Sequence, residues 1–410
     1  MRPIEVLAKG PKFLGVFHYK AANGRGLHGR RLPTLTAVFL IIALCLVAIT
    51  AGCGKDKSSS ESGSPGDGAG NEPGPSPAVT EPAGGTKTGG ARPQDYGSGT
   101  GEDEGRDAEG DIAMPREPVE PLEGAVLVVV ENLPSARPQS GLDKADVVYE
   151  ADVVAGITRF LAVYYSEGAP KIGPVRSVRK FLVEIAHAYN SPVAHAGGNA
   201  DALKLIKSLK GFKDMDEIFN SGAFFWRDNT RKKPHNLYTS TNLLQKGAKK
   251  KGYALVVPPP LPTTNKETAE TLSSPSAPAE EASHIRIPFS EKADTKNVVE
   301  YRFEDGAYKR FINGKPHLMR DGSPIQPENV AVLFVETKEE WGDDPQLINK
   351  VIGSGKALFF SGGRVHNGSW NKSGSRSHFV FTLNDGEPML FLPGKTWIEI
   401  VDRSLDVTYE

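Results

Sequence analysis

Ala125-Val126-Leu127-Val128-Val129-Val130 is an unbroken aliphatic run, and the fold of the chain turns on how it is read. A strand with one face in water alternates apolar and polar residues. A short valine-rich run without alternation is a strand buried on both faces. Two further β-rich runs follow, Asp146–Val154 and Arg159–Tyr165, and then a loop over Ser166–Arg176. From there the period changes. Val178, Phe181, Leu182, Ile185, Ala186 and Tyr189 recur at helical spacing, with Ser177 placed as the N-cap. Ser191–Ala196 reads as a short strand, Gly197-Gly198 as a turn, and Asn199 as the cap of a helix over Ala200–Lys210. Another helix is expected over Thr241–Lys250. This alternation predicts an α/β unit over 121–257, with a mixed sheet and helices packed on it.

The residues beyond it have a different pattern. Pro258–Ser283 is low in complexity and lacks aromatics, so it reads as a linker. Over 284–410 the pattern is all-β. Val298–Phe303 and Tyr308–Ile312 flank Asp305-Gly306, and Asn313-Gly314 begins a second turn toward Pro316–Met319. Val330–Val335, Ala357–Phe360, His378–Leu383, Pro388–Leu392 and Thr396–Val401 add strands, with Asp385-Gly386 as another turn. A smaller, mostly β unit built as a sandwich or barrel is expected, making the whole chain α+β or α/β.

Charge divides the chain in the same way. The net charge of −1 sums unlike pieces. Met1–Cys53 has seven basic residues and one acid, whereas Gly54–Glu120 has six basic and fourteen acidic residues. Arg159–Gly252 has 17 basic and 7 acidic residues, a local excess of +10. Gly54–Glu120 also holds 15 Gly, 8 Pro and one aromatic, Tyr96, too little apolar surface to offset the entropy of ordering it, so it reads as a disordered tether.

The leader sets the compartment. Leu35–Ala51 is apolar, follows Arg30 and Arg31, and runs into Thr50-Ala51-Gly52-Cys53. That ending resembles the lipobox of bacterial lipoproteins, in which the cysteine is lipidated; Thr50 stands where an aliphatic residue is usual. A signal peptide over 1–53, a lipid anchor at Cys53 and a cell-membrane location facing away from the cytoplasm are therefore expected, the alternative being an uncleaved single span. The only cysteines are Cys45 and Cys53, which excludes disulfides, thiolate catalysis and Cys-based zinc sites from the exported part.

Several strings recur in a known order: Ala136–Leu142 (ARPQSGL), Ala145–Glu150 (ADVVYE), Gly156–Val163 (GITRFLAV), Lys171–Ser177 (KIGPVRS), His195–Gly198 and Pro234–Ser240 (PHNLYTS). In the last part, Gly368–Lys372 (GSWNK) and Pro393–Ile398 (PGKTWI) follow. Together they resemble the YerB-like lipoprotein family of bacteria, a domain of unknown function with its own C-terminal partner domain, over essentially 121–402. The resemblance implies an extracytoplasmic lipoprotein and no agreed activity. Where that family has Glu-Gly-Gly before Ile-Thr-Arg, this chain has Val154-Ala155-Gly156.

The strongest candidate site is the junction Gly173–Arg179, where a loop enters a helix N-terminus suited to anions. Arg176 and Arg179 add forked donors beside Ser177. His195, Gly197 and Gly198 form a second strand-to-helix turn that can share the crevice at the strand ends. Arg159, Arg227, Arg231, Lys232, Lys233 and His235 complete the basic set, with Asp228 as an orienting partner. The competing reading is that these arginines pair internally with Glu150, Asp152 and Asp228.

Other motifs carry less. Ser177-Val178-Arg179-Lys180 matches the Ser-x-x-Lys of penicillin-binding serine enzymes, but the one Lys-Thr-Gly, Lys87–Gly89, lies in the tether and Lys395-Thr396 precedes Trp397. Gly353-Ser354-Gly355-Lys356 lacks the glycine and hydroxyl of a phosphate loop and reads as a turn. Lys204, Lys207, Lys210 and Lys213 read as a solvated helix face that could instead meet anionic lipid or polymer. His366 and His378 have no carboxylate at metal-ligand spacing. No metal, cofactor or nucleic-acid partner is expected.

These observations lead to an envelope lipoprotein with a binding or scaffolding role, its basic cleft facing an anionic polymer or an envelope protein. Two alternatives stand beside it: a cell-wall hydrolase or transferase using His195 or His235, and an assembly partner of peptidoglycan synthases.

Overall fold

The computed structural model describes residues 118–264, 280–340 and 345–410. The apolar leader, Cys53, the tether through residue 117 and most of the linker lie outside the described residues.

Val126–Glu131 (β1) lies inside a large mixed sheet. It pairs antiparallel with Ile157–Tyr164 (β3) and parallel with Val193–His195 (β4), and Asp214–Asp216 (β5) continues beyond β4. Val147–Val154 (β2) closes a hairpin with β3 through Ala155 and Gly156, both at positive φ, the backbone that two-residue hairpins require. Both faces of β1 are covered, which is why the run does not alternate. Leu127 and Val129 enter one core with Phe181, Leu182 and Ile185. Val126, Val128 and Val130 enter the other, with Leu244, Ile285, Tyr301 and Tyr308. Burying each such side chain contributes about 1.5–3 kcal/mol.

The helices are Lys180–Ala186 (α1), Ala200–Ser208 (α2) and Thr241–Lys250 (α3). Asn199 caps α2 as expected, its side chain accepting from Ala202 N at 3.3 Å, and Ser240 caps α3 through Leu243 N at 3.2 Å. Ser177 does not cap α1. Val178 is held extended against the Gly197-Gly198 turn, with its N–H donating to Gly197 O at 2.9 Å, so the helix begins only after Arg179 and has no side-chain cap.

The 284–410 segment is mostly β, but it does not close a sandwich or barrel of its own. Thr396–Asp402 pairs in parallel with β2, and Asn329–Val335, Gly353–Ser361, Arg364–Lys372 and Val380–Leu383 extend the same sheet outward. A second, five-stranded antiparallel sheet around His284–Ser290, Asn297–Glu304 and Ala307–Ile312 packs into the core containing Val126, Val128 and Val130. Alternation reports that a strand has a buried face; it does not say which strand is its neighbour.

Two local expectations also change. Gly353–Lys356 lies in a strand rather than a turn: a Cβ on Gly355 would sit 2.5 Å from Phe334 O, the carbonyl that accepts Trp370 Nε1 at 3.0 Å. Pro388–Leu392 makes only isolated bridges.

Candidate functional site

The loop Gly173–Val178 runs between the ends of β1 and β4. Glu131 N donates to Pro174 O (3.0 Å), Arg176 N to Val129 O (3.0 Å), and Ala196 N to Arg176 O (3.1 Å). The segment is thereby stitched into the sheet edge, which fixes where its side chains begin. Arg159 Nη1 donates to Ser177 O at 2.8 Å, and the buried Arg179 reaches Ser177 Oγ and Val178 O, each at 3.3 Å. Ser177 is therefore engaged by two arginines. α1, at seven residues, begins beyond this knot.

His195 is wholly buried. Its Nε2 lies 2.8 Å from Asp214 Oδ1 and its Nδ1 2.9 Å from Gly197 O. Asp216 accepts the Gly197 N–H at 2.8 Å and the Ile218 N–H at 3.0 Å. Gly197 has φ +63°, and Gly198 bridges Val178. Both ring nitrogens of His195 are thus committed inside the protein, and this histidine has no path to a substrate.

Glu131, the last residue of β1, is where two of the predicted residues meet. Its carboxyl is 2% exposed. Arg176 Nε lies 3.0 Å from Oε1, an ion pair too bent to count as a hydrogen bond, and His235 Nδ1 lies 2.8 Å from Oε2. The other face of His235 is bonded too, with Nε2 3.0 Å from Ser135 Oγ. Arg231 donates from Nη2 to Ser135 O and from Nη1 to Pro138 O and the Tyr238 hydroxyl, each at 3.0 Å.

Asp228 holds Lys171 Nζ at 2.6 Å and Arg320 Nη1 at 3.3 Å. Burial raises its pKa, but the bonds to Lys171 and Thr230 outweigh that and bring it down to about 2. Arg227 stands apart, exposed, with Glu217 at 3.3 Å and Asn236 Oδ1 at 3.2 Å. The predicted set therefore falls into four groups: Arg176 with His235, Arg159 with Ser177 and Arg179, His195 with Gly197 and Gly198, and Arg227 alone. Lys232 and Lys233 are exposed next to His235.

Internal pairing does occur, though largely with other acids than those expected. Glu150 is bonded to Arg310, Asn132 (3.0 Å) and Thr158 (2.5 Å), all buried, and Asp152 accepts the Gly156 N–H at 2.7 Å. Arg310 also reaches Tyr301 OH at 3.1 Å and His317, and His317 passes on to Gln139 at 2.9 Å. Burial, with Arg310 and Arg137 nearby, pushes His317 well below the usual histidine range, so it is a neutral link. Sequence reasoning missed Glu131, Ser135 and Arg310. The one available signal was a glutamate closing an apolar strand.

Among the described residues no group of three or more His, Cys, Asp or Glu side chains is arranged to hold a metal. A cleft of about 730 Å3 lies away from this cluster, lined by Phe334, Lys350, Lys356, Arg403 and Tyr409 among others.

Residues 114–254 match the family described as "Protein of unknown function (DUF3048) N-terminal domain", and residues 285–398 match its C-terminal domain. A protein of Bacillus subtilis (strain 168) named "Putative lipoprotein YerB" is 36% identical over 282 residues, covering 67% of this chain and 80% of that relative. The crystal structure of YerB protein from Bacillus subtilis is similar with a TM-score of 0.60 and 32% identity, covering 70% of this chain and 93% of that one.

Proposed function

We propose a function on the premise that the chain belongs to the YerB-like DUF3048 family, both of whose domain descriptions it matches. The protein is a lipoprotein held to the membrane through Cys53, facing away from the cytoplasm. It recognises an anionic polymer of the envelope through charge on the α/β part. One observation carries this reading. After the arginines have been drawn into internal bonds, Lys204, Lys207, Lys210, Lys232 and Lys233 remain exposed with no ion-pair partner among the described residues. The active surface on this reading is a set of solvated lysines rather than an arginine cleft.

Exposed charges act through a screened field, so binding should weaken steadily as salt rises toward ionic strengths where the Debye length is only a few ångströms. Replacing Lys204, Lys207 and Lys210 together by Glu should weaken binding to purified anionic wall polymer by about tenfold or more, if each contact contributes about 0.5–1 kcal/mol. The measurement is a salt-titrated Kd for the wild type and the triple variant. An unchanged Kd and salt slope in the triple variant would remove the reading.

A further inference from the structure

We propose that Ser135, His235 and Glu131 form a nucleophile, base and carboxylate relay for acyl transfer. Ser135 Oγ is 3.0 Å from His235 Nε2, and His235 Nδ1 is 2.8 Å from Glu131 Oε2. With the ring proton on Nδ1 and donated to the carboxylate, the Nε2 lone pair faces the serine hydroxyl. That is the arrangement by which a serine is activated in unrelated folds, recognised by geometry and roles rather than by order along the chain.

The exposure gradient along the relay suits the chemistry. Glu131 is buried at the end of β1, the His235 side chain is 19% exposed, and Ser135 stands in solvent. A buried acid orients a partly covered base toward an accessible nucleophile. Each member is also fixed from behind. Glu131 has Arg176 on its other oxygen. His235 N donates to Lys232 O at 3.0 Å. Ser135 lies in the 3-10 turn Pro134–Ala136, and its carbonyl oxygen is held by Arg231 at 3.0 Å. Arg231 also brings a permanent positive charge beside the nucleophile, the sign that stabilises a developing oxyanion.

The same surroundings indicate the substrate class. Lys232 and Lys233 are exposed beside His235, and Ser135 is itself exposed, so the favoured substrate is a small acyl ester on an anionic carrier. In the first step Ser135 Oγ bonds to the acyl carbon while its proton passes to His235 Nε2. The C–O bond to the carrier breaks, and the leaving alkoxide takes that proton. Water then attacks the acyl-serine by the same route, releasing the acid and restoring the hydroxyl. No redox partner or cofactor enters either step. Only the anionic carrier rests on the lysine surface; the acyl-transfer chemistry stands or falls on the reactivity of one serine.

A purely structural network would hold Ser135 in the same place without activating it, and labelling separates the two. The full chain, in detergent, is treated with an alkyl fluorophosphonate and digested, and the labelled peptide is identified by mass spectrometry; p-nitrophenyl acetate turnover is followed in parallel. The expected result is stoichiometric labelling of Ser135, abolished in Ser135→Ala and slowed by about two orders of magnitude or more in His235→Gln. Ser135→Ala alters an exposed hydroxyl and so keeps the fold, which makes its loss of ester turnover interpretable even if His235→Gln unfolds. An unlabelled Ser135 in the wild type, or ester turnover unchanged by Ser135→Ala, overturns the proposal.

Discussion

Glu399 stands directly across from Glu150 in the parallel pairing of Thr396–Asp402 with β2, and both are fully buried. Two carboxylates that close in a dry environment do not both ionise. Burial, and then the charge of Glu150, push Glu399 well above the usual carboxylate range. One proton and the Arg310 guanidinium thus neutralise the pair. Glu399→Gln should be tolerated, costing less than about 1.5 kcal/mol, because the amide resembles the protonated acid. Arg310→Met should cost about 3–5 kcal/mol by leaving Glu150 buried and uncompensated. Urea unfolding of both variants checks this, and equal costs would mean that Glu399 is ionised. Asp152 gives the matching pH effect. Burial raises its pKa to about 7, from an ordinary 3.8. A raised folded-state pKa means that stability is fully present below the unfolded value and is lost as pH climbs from about 4 through 7. Asp152→Asn keeps the acceptor for the Gly156 N–H and should flatten that decline in thermal melts taken between pH 4 and 8.

At the level of elements, the sequence was most legible where one local signal acted without a competitor. α3 runs from Thr241 to Lys250 as its pattern predicts, and Asn199 caps α2; at both starts the cap side chain accepts the N–H three residues on. Ser177 failed as a cap because Gly197 captured the backbone of Val178. The candidate site divides along the same line. Arg176 and His235 were visible as basic residues near turns, but the acid that joins them lies 104 residues from His235 in sequence, and no spacing could reveal it. A residue-level departure from the family also becomes an element-level prediction. Ala155 occupies the hairpin position between β2 and β3 at φ +50°, where alanine is strained and asparagine is at ease. Ala155→Asn should raise stability by about 0.5–1 kcal/mol, visible as a higher urea midpoint with unchanged slope.

The whole molecule shares one sheet between the segments that the linker separates. Thr396–Asp402 lies between Asn329–Val335 and β2, so a strand from near the C-terminus joins the two halves through backbone hydrogen bonds on both sides. The Glu150–Arg310 contact ties the same halves to the five-stranded sheet. A fragment ending at residue 264 would expose the unpaired edge of β2 and the apolar faces that Ile285, Tyr301 and Tyr308 cover. Composition points to two units, because the linker is polar and lacks aromatics; the shared strand pairing predicts that they melt as one cooperative body. The test is a protease site placed within residues 265–279. Cleavage of the folded protein should leave the two pieces associated, with a single melting transition close to that of the intact chain. Expressed alone, residues 118–264 should lack a cooperative melt, and mixing with residues 280–410 should restore it. Two independent transitions, or a stable N-terminal fragment, would mean that the shared sheet contributes little to the stability of either half.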